Sequence, residues 1–181
     1  AGYALIDGSP APWFKFSAGA RVDVYSTFGP IVVPRAALIF KPGGGNVLKI
    51  MGGRAFRAPS IYEQVYNDGG QSQVRSVDPA RNLTLGPESV YSGEIEYTRH
   101  FLEDWVAVAA AYTSFVEGIV ITVPDSPGSE LFRYTNGQSP VLVVGGDVEL
   151  RREWRRGFML SASYGYQHTR FLDETLKNPR L

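Results

Sequence analysis

Trp13-Phe14-Lys15-Phe16-Ser17-Ala18-Gly19-Ala20-Arg21-Val22-Asp23-Val24-Tyr25 decides the fold, because its charges fall on one parity only. Phe14, Phe16, Ala18, Ala20, Val22 and Val24 alternate with Lys15, Ser17, Gly19, Arg21 and Asp23. Successive side chains of a strand point to opposite faces, so the stretch reads as a strand with one apolar and one charged side. It is also long. Strands of ordinary sheets cluster near five or six residues, whereas about ten alternating residues suit a tilted strand crossing a bilayer core.

The same pattern recurs toward the C-terminus. Phe158, Leu160, Ala162, Tyr164 and Tyr166 alternate with Met159, Ser161, Ser163, Gly165 and Gln167, and Leu142, Val144, Gly146, Val148 and Leu150 alternate with Val143, Gly145, Asp147, Glu149 and Arg151. Period-two runs bounded by Gly, Pro, Asn and Asp clusters predict about eight strands, over 2–7, 13–25, 33–41, 46–57, 89–99, 104–121, 132–151 and 158–169. The fold class expected is all-β: an antiparallel up-and-down meander of about eight long strands of the length that a transmembrane β-barrel needs, which the resemblance given below extends to a sector of a larger transmembrane β-barrel. The segment 104–121 is the least regular, since Ala107, Ala109, Ala110 and Ala111 blur its faces and alanine favours helix. Strand is preferred there because Val106, Val108, Tyr112, Val116, Ile119, Val120 and Ile121 are β-formers.

Composition narrows the function. The 181 residues carry 18 basic and 18 acidic side chains, so nothing advertises a nucleic-acid partner. With no cysteine, a disulfide scaffold and thiolate metal or redox sites are excluded. No stretch approaches a transmembrane helix. The start lacks the basic and apolar regions of a signal peptide and the end stops in loop chemistry, so the chain is expected to be an excised piece. Connections alternate between short ones (8–12, 42–45, 100–103, 152–157) and longer polar ones (26–32, 58–88, 122–131 and the tail from 170). Outer-membrane barrels show this asymmetry, with short periplasmic turns and longer extracellular loops, and the 58–88 connection exceeds ordinary loop lengths.

The least generic stretch is Lys49-Ile50-Met51-Gly52-Gly53-Arg54-Ala55-Phe56-Arg57-Ala58-Pro59-Ser60-Ile61-Tyr62-Glu63, followed by Asn82-Leu83-Thr84-Leu85-Gly86-Pro87-Glu88 and a strand with Glu94, Glu96 and Tyr97. On these residues the chain resembles the TonB-dependent outer-membrane receptors. Gly19 to Ser26, Pro34-Arg35, Arg133-Tyr134-Thr135-Asn136 and Gly145-Gly146-Asp147-Val148-Glu149 extend the resemblance, with Asp147 where that family has Glu. The resemblance implies part of a twenty-two-stranded barrel, with the plug domain and C-terminal closing strands absent from residues 1–181. It further implies a bacterial outer-membrane location, lipid around the wall, a plug and a TonB complex outside this chain, and no cofactor.

The charged parity must meet water, because an ionised group facing hydrocarbon at the midplane costs about 2–4 kcal/mol. Lys15, Arg21, Asp23, Arg35, Lys49, Glu94, Glu96, Asp147 and Glu149 are therefore expected to face the lumen and plug. Arg54 shares the apolar parity and is expected to reach the headgroup region. Tyr91, Tyr97, Trp105, Tyr112, Tyr164 and Tyr166 are candidates for interfacial girdles. Residues 59–66 suggest a short helix with Pro59 in its first turn.

Glu94 and Glu96 are read as lumen acids rather than a catalytic pair, and His100 and His168 lie at opposite strand ends, so no catalytic or metal residues are assigned. The expected function is import of a scarce, large small-molecule ligand such as a ferric siderophore or cobalamin, energised by the TonB system and not enzymatic. Tyr62, Tyr66, Arg75, Asp78 and Arg81 in the long loop are the candidate ligand contacts. The alternative is a small complete outer-membrane barrel serving as adhesin or anchor, since eight strands can close.

Overall fold

A computed structural model describes residues 1–154 and 157–172. It contains β1 (Gly2–Ala11), β2 (Phe14–Tyr25), β3 (Gly29–Gly43), β4 (Asn46–Arg57), α1 (Ile61–Val65), a 3-10 turn at Pro79–Arg81, β5 (Glu88–Phe101), β6 (Trp105–Glu117), β7 (Val120–Pro124), β8 (Phe132–Asn136), β9 (Val141–Glu153) and β10 (Met159–Phe171). Eight strands form one sheet in the order β1-β2-β3-β4-β5-β6-β9-β10, and β7 and β8 form a separate hairpin. The meander read from the sequence is thus the observed topology. The chain divides into two compact units. Among the described residues, the first holds Ala1–Arg54, Tyr91–Phe115, 142–154 and 157–170, and the second holds Ala55–Val90, Val116–Val141 and 171–172.

In the first unit, register establishes the two faces. Phe14 pairs Phe40, Phe16 pairs Leu38 and Val22 pairs Val32 across β2 and β3, and Leu38 and Phe40 pair Ile50 and Leu48 of β4. These apolar residues share one side. Lys15, Arg21 and Asp23 pair Ile39, Val33 and Ile31, with Arg35 opposite Gly19 and Gly53 and Lys49 opposite Ile39, all on the other side. A one-residue slip in any ladder would exchange the faces, so parity and register specify each other. Trp13, Phe14, Phe16 and Phe40 form a ring cluster at one strand end, with Phe14 and Phe40 centroids 5.0 Å apart.

Aromatic rings also lie over glycine. A Cβ on Gly8 would collide with the Phe16 ring, and one on Gly145 would sit 2.6 Å from the Tyr112 ring. Only a residue without a side chain leaves those seats open. Tyr112, expected in an interfacial girdle, is therefore on the face of Gly145 and Asp147, where its hydroxyl donates to Gln167 Oε1 at 3.2 Å. The alanine-rich segment is strand, as preferred from its flanking β-formers.

Four boundaries differ from the sequence reading. The strand expected over 104–121 breaks at Gly118, whose φ of 67° is left-handed, and becomes β6 and β7. The strand expected over 132–151 likewise becomes β8 and β9, separated by 137–140 with Pro140 lacking an N–H. The connection expected over 26–32 shrinks to 26–28, because Pro30 lies inside β3 together with Pro34, which was expected in the strand. Both prolines lack an N–H, the two missing donors fall on the same side of that strand, and the residues between them keep the ladder. The first strand extends from 2–7 to Ala11 through a register shift between Gly8 and Ala11. Pro10 is accommodated there because the ladder to β2 is interrupted at that shift, so no N–H is demanded of it.

Candidate functional site

The second unit is built around the two ends of the long connection. Arg57, the last residue of β4, donates from Nε to Glu88 Oε2 (2.7 Å) and from Nη2 to Glu88 Oε1 (2.9 Å), closing the 58–87 loop with a two-pronged pair. The same guanidinium reaches Glu63 Oε2 at 3.0 Å and Oε1 at 3.1 Å. A planar fork with five donors can serve two carboxylates at once, which an ammonium cannot. Glu63 is also the third residue of α1 and completes a capping box. Its carboxylate accepts from the Ser60 N–H (2.7 Å), while the Ser60 hydroxyl accepts from the Glu63 N–H (3.2 Å). Pro59 thus precedes the N-cap rather than sitting in the first turn as expected. The Arg57 guanidinium, reinforced by the Ser60 donors, holds the Glu63 carboxyl below the usual carboxylate range.

The other closure is Asn136. Its amide oxygen accepts from the Gly86 N–H (2.7 Å), and its Nδ2 donates to the carbonyls of Gly86 (2.9 Å) and Gly118 (2.7 Å). One side chain therefore ties the segment entering β5, the break after β6 and the end of β8. Arg57, Glu63, Glu88 and Asn136 were not singled out as functional by sequence reasoning. The signal was present in the Phe-Arg-Ala-Pro-Ser, Pro-Glu and Tyr-Thr-Asn stretches, whose charged and amide residues fall at loop ends.

Between these clamps the loop folds onto the β7–β8 hairpin. Val74 N–H donates to the Phe132 carbonyl (3.0 Å) and Phe132 N–H to the Ser72 carbonyl (2.9 Å). The buried Ser76 hydroxyl accepts from the Tyr134 N–H at 2.8 Å. Gln73 is 2% exposed, and its Oε1 accepts from the Tyr62 hydroxyl at 3.3 Å. Asp68 organises the preceding bend: Ser72 Oγ donates to it at 2.5 Å, and the backbone N–H groups of Gln71, Ser72 and Gln73 converge on the same carboxylate. The Ser72 hydroxyl first, then those amides, push its pKa down to about 2.

The five loop residues proposed as ligand contacts divide by environment. Tyr62 and Tyr66 are exposed and stacked, with centroids 4.4 Å apart, and Tyr134 stands edge-on to Tyr62 at 6.4 Å. Arg75 is exposed. Asp78 caps the 3-10 turn by accepting from the Ala80 N–H at 3.0 Å. Arg81 is held by Asp125 through bonds of 2.7 and 2.9 Å. The tyrosines and Arg75 thus face outward, while Asp78 and Arg81 are occupied in shaping the loop.

The nine charged-face residues lie in the first unit. Lys15, Arg21, Asp23, Arg35 and Lys49 share a face by register. Lys49 Nζ donates to Glu96 Oε1 at 2.7 Å, bringing Glu96, and Glu94 two residues before it, to that face. Arg21 pairs with Asp23 (2.7 Å) and Glu149 with Arg151 (3.1 Å). The Asp147 Cβ lies against Gly165, on the side of Tyr112 and Gln167. Arg54 is on the opposite face, stacked over Tyr91 at 5.3 Å and donating to the Val32 carbonyl at 3.3 Å.

Long two-faced antiparallel strands that pair in a meander are those of an outer-membrane-type barrel wall. The family described as TonB dependent receptor-like, beta-barrel matches residues 2–181, and the chain belongs to that family. Among solved structures it is similar to the siderophore receptor PirA from Pseudomonas aeruginosa, with 19% identity and a TM-score of 0.76 over 92% of this chain and 31% of that one. It is similar also to the FrpB iron transporter from Neisseria meningitidis, with 12% identity and a TM-score of 0.67 over 93% of this chain and 25% of that one. The copper transporter OprC matches with 15% identity and a TM-score of 0.63 over 92% of this chain and 28% of that one. The chain therefore spans about a third or less of the length of these structures, which share its fold. No curated protein sequence matches it.

Proposed function

We propose that the chain forms a sector of the wall and ligand-facing loops of an active importer in a bacterial outer membrane. Such an importer takes up a scarce nutrient too large for open pores, such as a ferric siderophore or cobalamin, and is energised through a plug and a TonB complex outside these residues. Family membership supports the importer class, and the similar structures are those of a siderophore receptor, an iron transporter and a copper transporter.

The observation that carries the reading is the second unit. A long connection that served only to join strands would need neither the Arg57 and Asn136 clamps nor the buried Gln73 and Ser76. These groups stiffen a platform whose outward residues include Tyr62, Tyr66 and Arg75, suited to a planar or anionic ligand. The charged face lines the interior, where Lys15, Arg21, Asp23, Arg35, Lys49, Glu94, Glu96, Asp147 and Glu149 meet water or the plug.

The test is growth of a strain deleted for the intact gene under iron limitation and under cobalamin limitation. Complementation follows with wild type and with Tyr62→Ala/Tyr66→Ala. A growth defect in one medium, rescued by wild type and weakly by the double variant, is the expected result. Normal growth of the deletion strain in both media would move the cargo to carbohydrate or another nutrient, and full rescue by the double variant would remove the tyrosines from the ligand site.

A further inference from the structure

All three tryptophans of the chain lie beside short turns, with Trp13 just before β2, Trp105 the first residue of β6 and Trp154 just after β9. Two of them bracket a cation. The Arg152 guanidinium lies 4.6 Å from the Trp154 ring centroid and 5.5 Å from that of Trp105. Its neighbour Arg151, on the charged face, pairs with Glu149 at 3.1 Å and Glu153 at 2.6 Å. Arg152 is on the apolar face. Among the described residues no carboxylate pairs with it, and its Nε is buried without a hydrogen-bond partner.

The apolar face is recessed directly beyond this cation. Ala107 and Ala109 follow Trp105 at spacings of two and four, and Leu150 and Val148 precede Arg152 at the same spacings. With Ala162 and Tyr164 of β10 they line a groove of about 500 Å³. The alanines supply the depth, since each lacks the bulk that Leu150 and Tyr164 carry beside it. A basic head held between two indoles at the end of an apolar furrow has the chemistry of a lipid seat: an anionic phosphate at the water boundary and a hydrocarbon chain along the wall.

We propose that this face binds one glycerophospholipid of the periplasmic leaflet. Its phosphate is held by Arg152 between Trp105 and Trp154, and one acyl chain lies in the groove walled by Ala107, Ala109, Val148, Leu150, Ala162 and Tyr164. The assignment rests on the reading that the apolar face meets lipid and the short turns face the periplasm, but not on the identity of the imported cargo. Charge complementarity selects the phosphate, and the position of the tryptophans beside the short turns selects the leaflet.

The test uses the intact receptor, purified in mild detergent after incubation with mixed vesicles of phosphatidylethanolamine and phosphatidylglycerol, with lipid retention read by native mass spectrometry. Wild type and Arg151→Gln are expected to retain one phospholipid equally. Arg152→Gln should reduce retention about tenfold, as expected for loss of one charge-assisted contact. Ala107→Phe, which fills the groove and leaves the cation intact, should reduce it as well. Heat-modifiable migration on gels verifies that each variant is a folded barrel. Equal retention by wild type and folded Arg152→Gln overturns the proposal, as does retention of lipopolysaccharide in place of phospholipid when both are supplied. Cargo uptake is measured separately, so an importer that transports normally while retaining no phospholipid refutes this inference alone.

Discussion

Across β2, β3 and β4 almost every residue has a ladder partner, yet few side chains are buried; across 58–87 ladder partners are rare, and order depends on a handful of polar side chains. In the first region the backbone carries the structure and each side chain answers mainly to the solvent its face meets. In the second, Arg57, Asn136, Asp68 and Gln73 replace the missing ladder with side-chain bonds to backbone and to one another. The wall should therefore tolerate many substitutions that respect parity, while the loop unit should be sensitive to single changes at its clamps.

The largest effect expected is a parity violation in the wall. Leu38→Arg places a cation on the apolar face and should cost about 2–4 kcal/mol, whereas Ala37→Arg, one residue away on the charged face, should be near neutral. Urea titration of the intact barrel in vesicles compares the two directly, and equal costs would mean that the face assignment is wrong. Next is Arg57→Ala, which leaves Glu63 and Glu88 without their shared donor. Because the guanidinium is about half exposed, the expected loss is only about 1–2 kcal/mol. It should appear as faster hydrogen exchange and proteolysis within 58–87, with strand amides unchanged, and Arg57→Lys should restore it only in part.

Asn136→Ala removes three bonds to backbone groups and should open the Gly86 and Gly118 segments by about 1–2 kcal/mol, again read by exchange. Acid should then separate the regions. Asp68 has a folded pKa of about 2, below its ordinary 3.8, so its contribution is complete above that ordinary value and is lost as pH falls through the folded one. Local protection of the Gln71, Ser72 and Gln73 amides should decline over that window, and Asp68→Asn should abolish the dependence. Smallest is the half-buried pair of Lys49 and Glu96, where the Lys49 side chain is still 37% exposed to screening and Lys49→Met should change stability by less than about 1 kcal/mol.

The wall was legible because its signal repeats: a face seen once in 14–24 recurs in 142–151 and 158–167, and any register that mixed the faces would be penalised along a whole strand. Alanine carries no such preference, so the sides of Ala107 and Ala109, and the groove they create, emerged only from packing. Proline misled, since Pro30 read as loop yet lies within β3. Of the loop residues, Tyr62 and Tyr66 were visible as aromatics in a long polar connection. The fate of Arg81 was not, because its partner Asp125 lies 44 residues away.

By itself the sequence determined the two-faced strands, the long 58–87 connection and the family, because each is written in local periodicity or in contiguous motifs. Tertiary structure alone decided that Arg57 joins Glu63 to Glu88, that Asn136 closes three segments, and that Arg152 is stacked on indoles while Arg151 pairs with carboxylates. Those outcomes depend on which distant residues a hydrogen bond or ring contact can reach, and such contacts act over a few ångströms between groups that chain separation does not reveal.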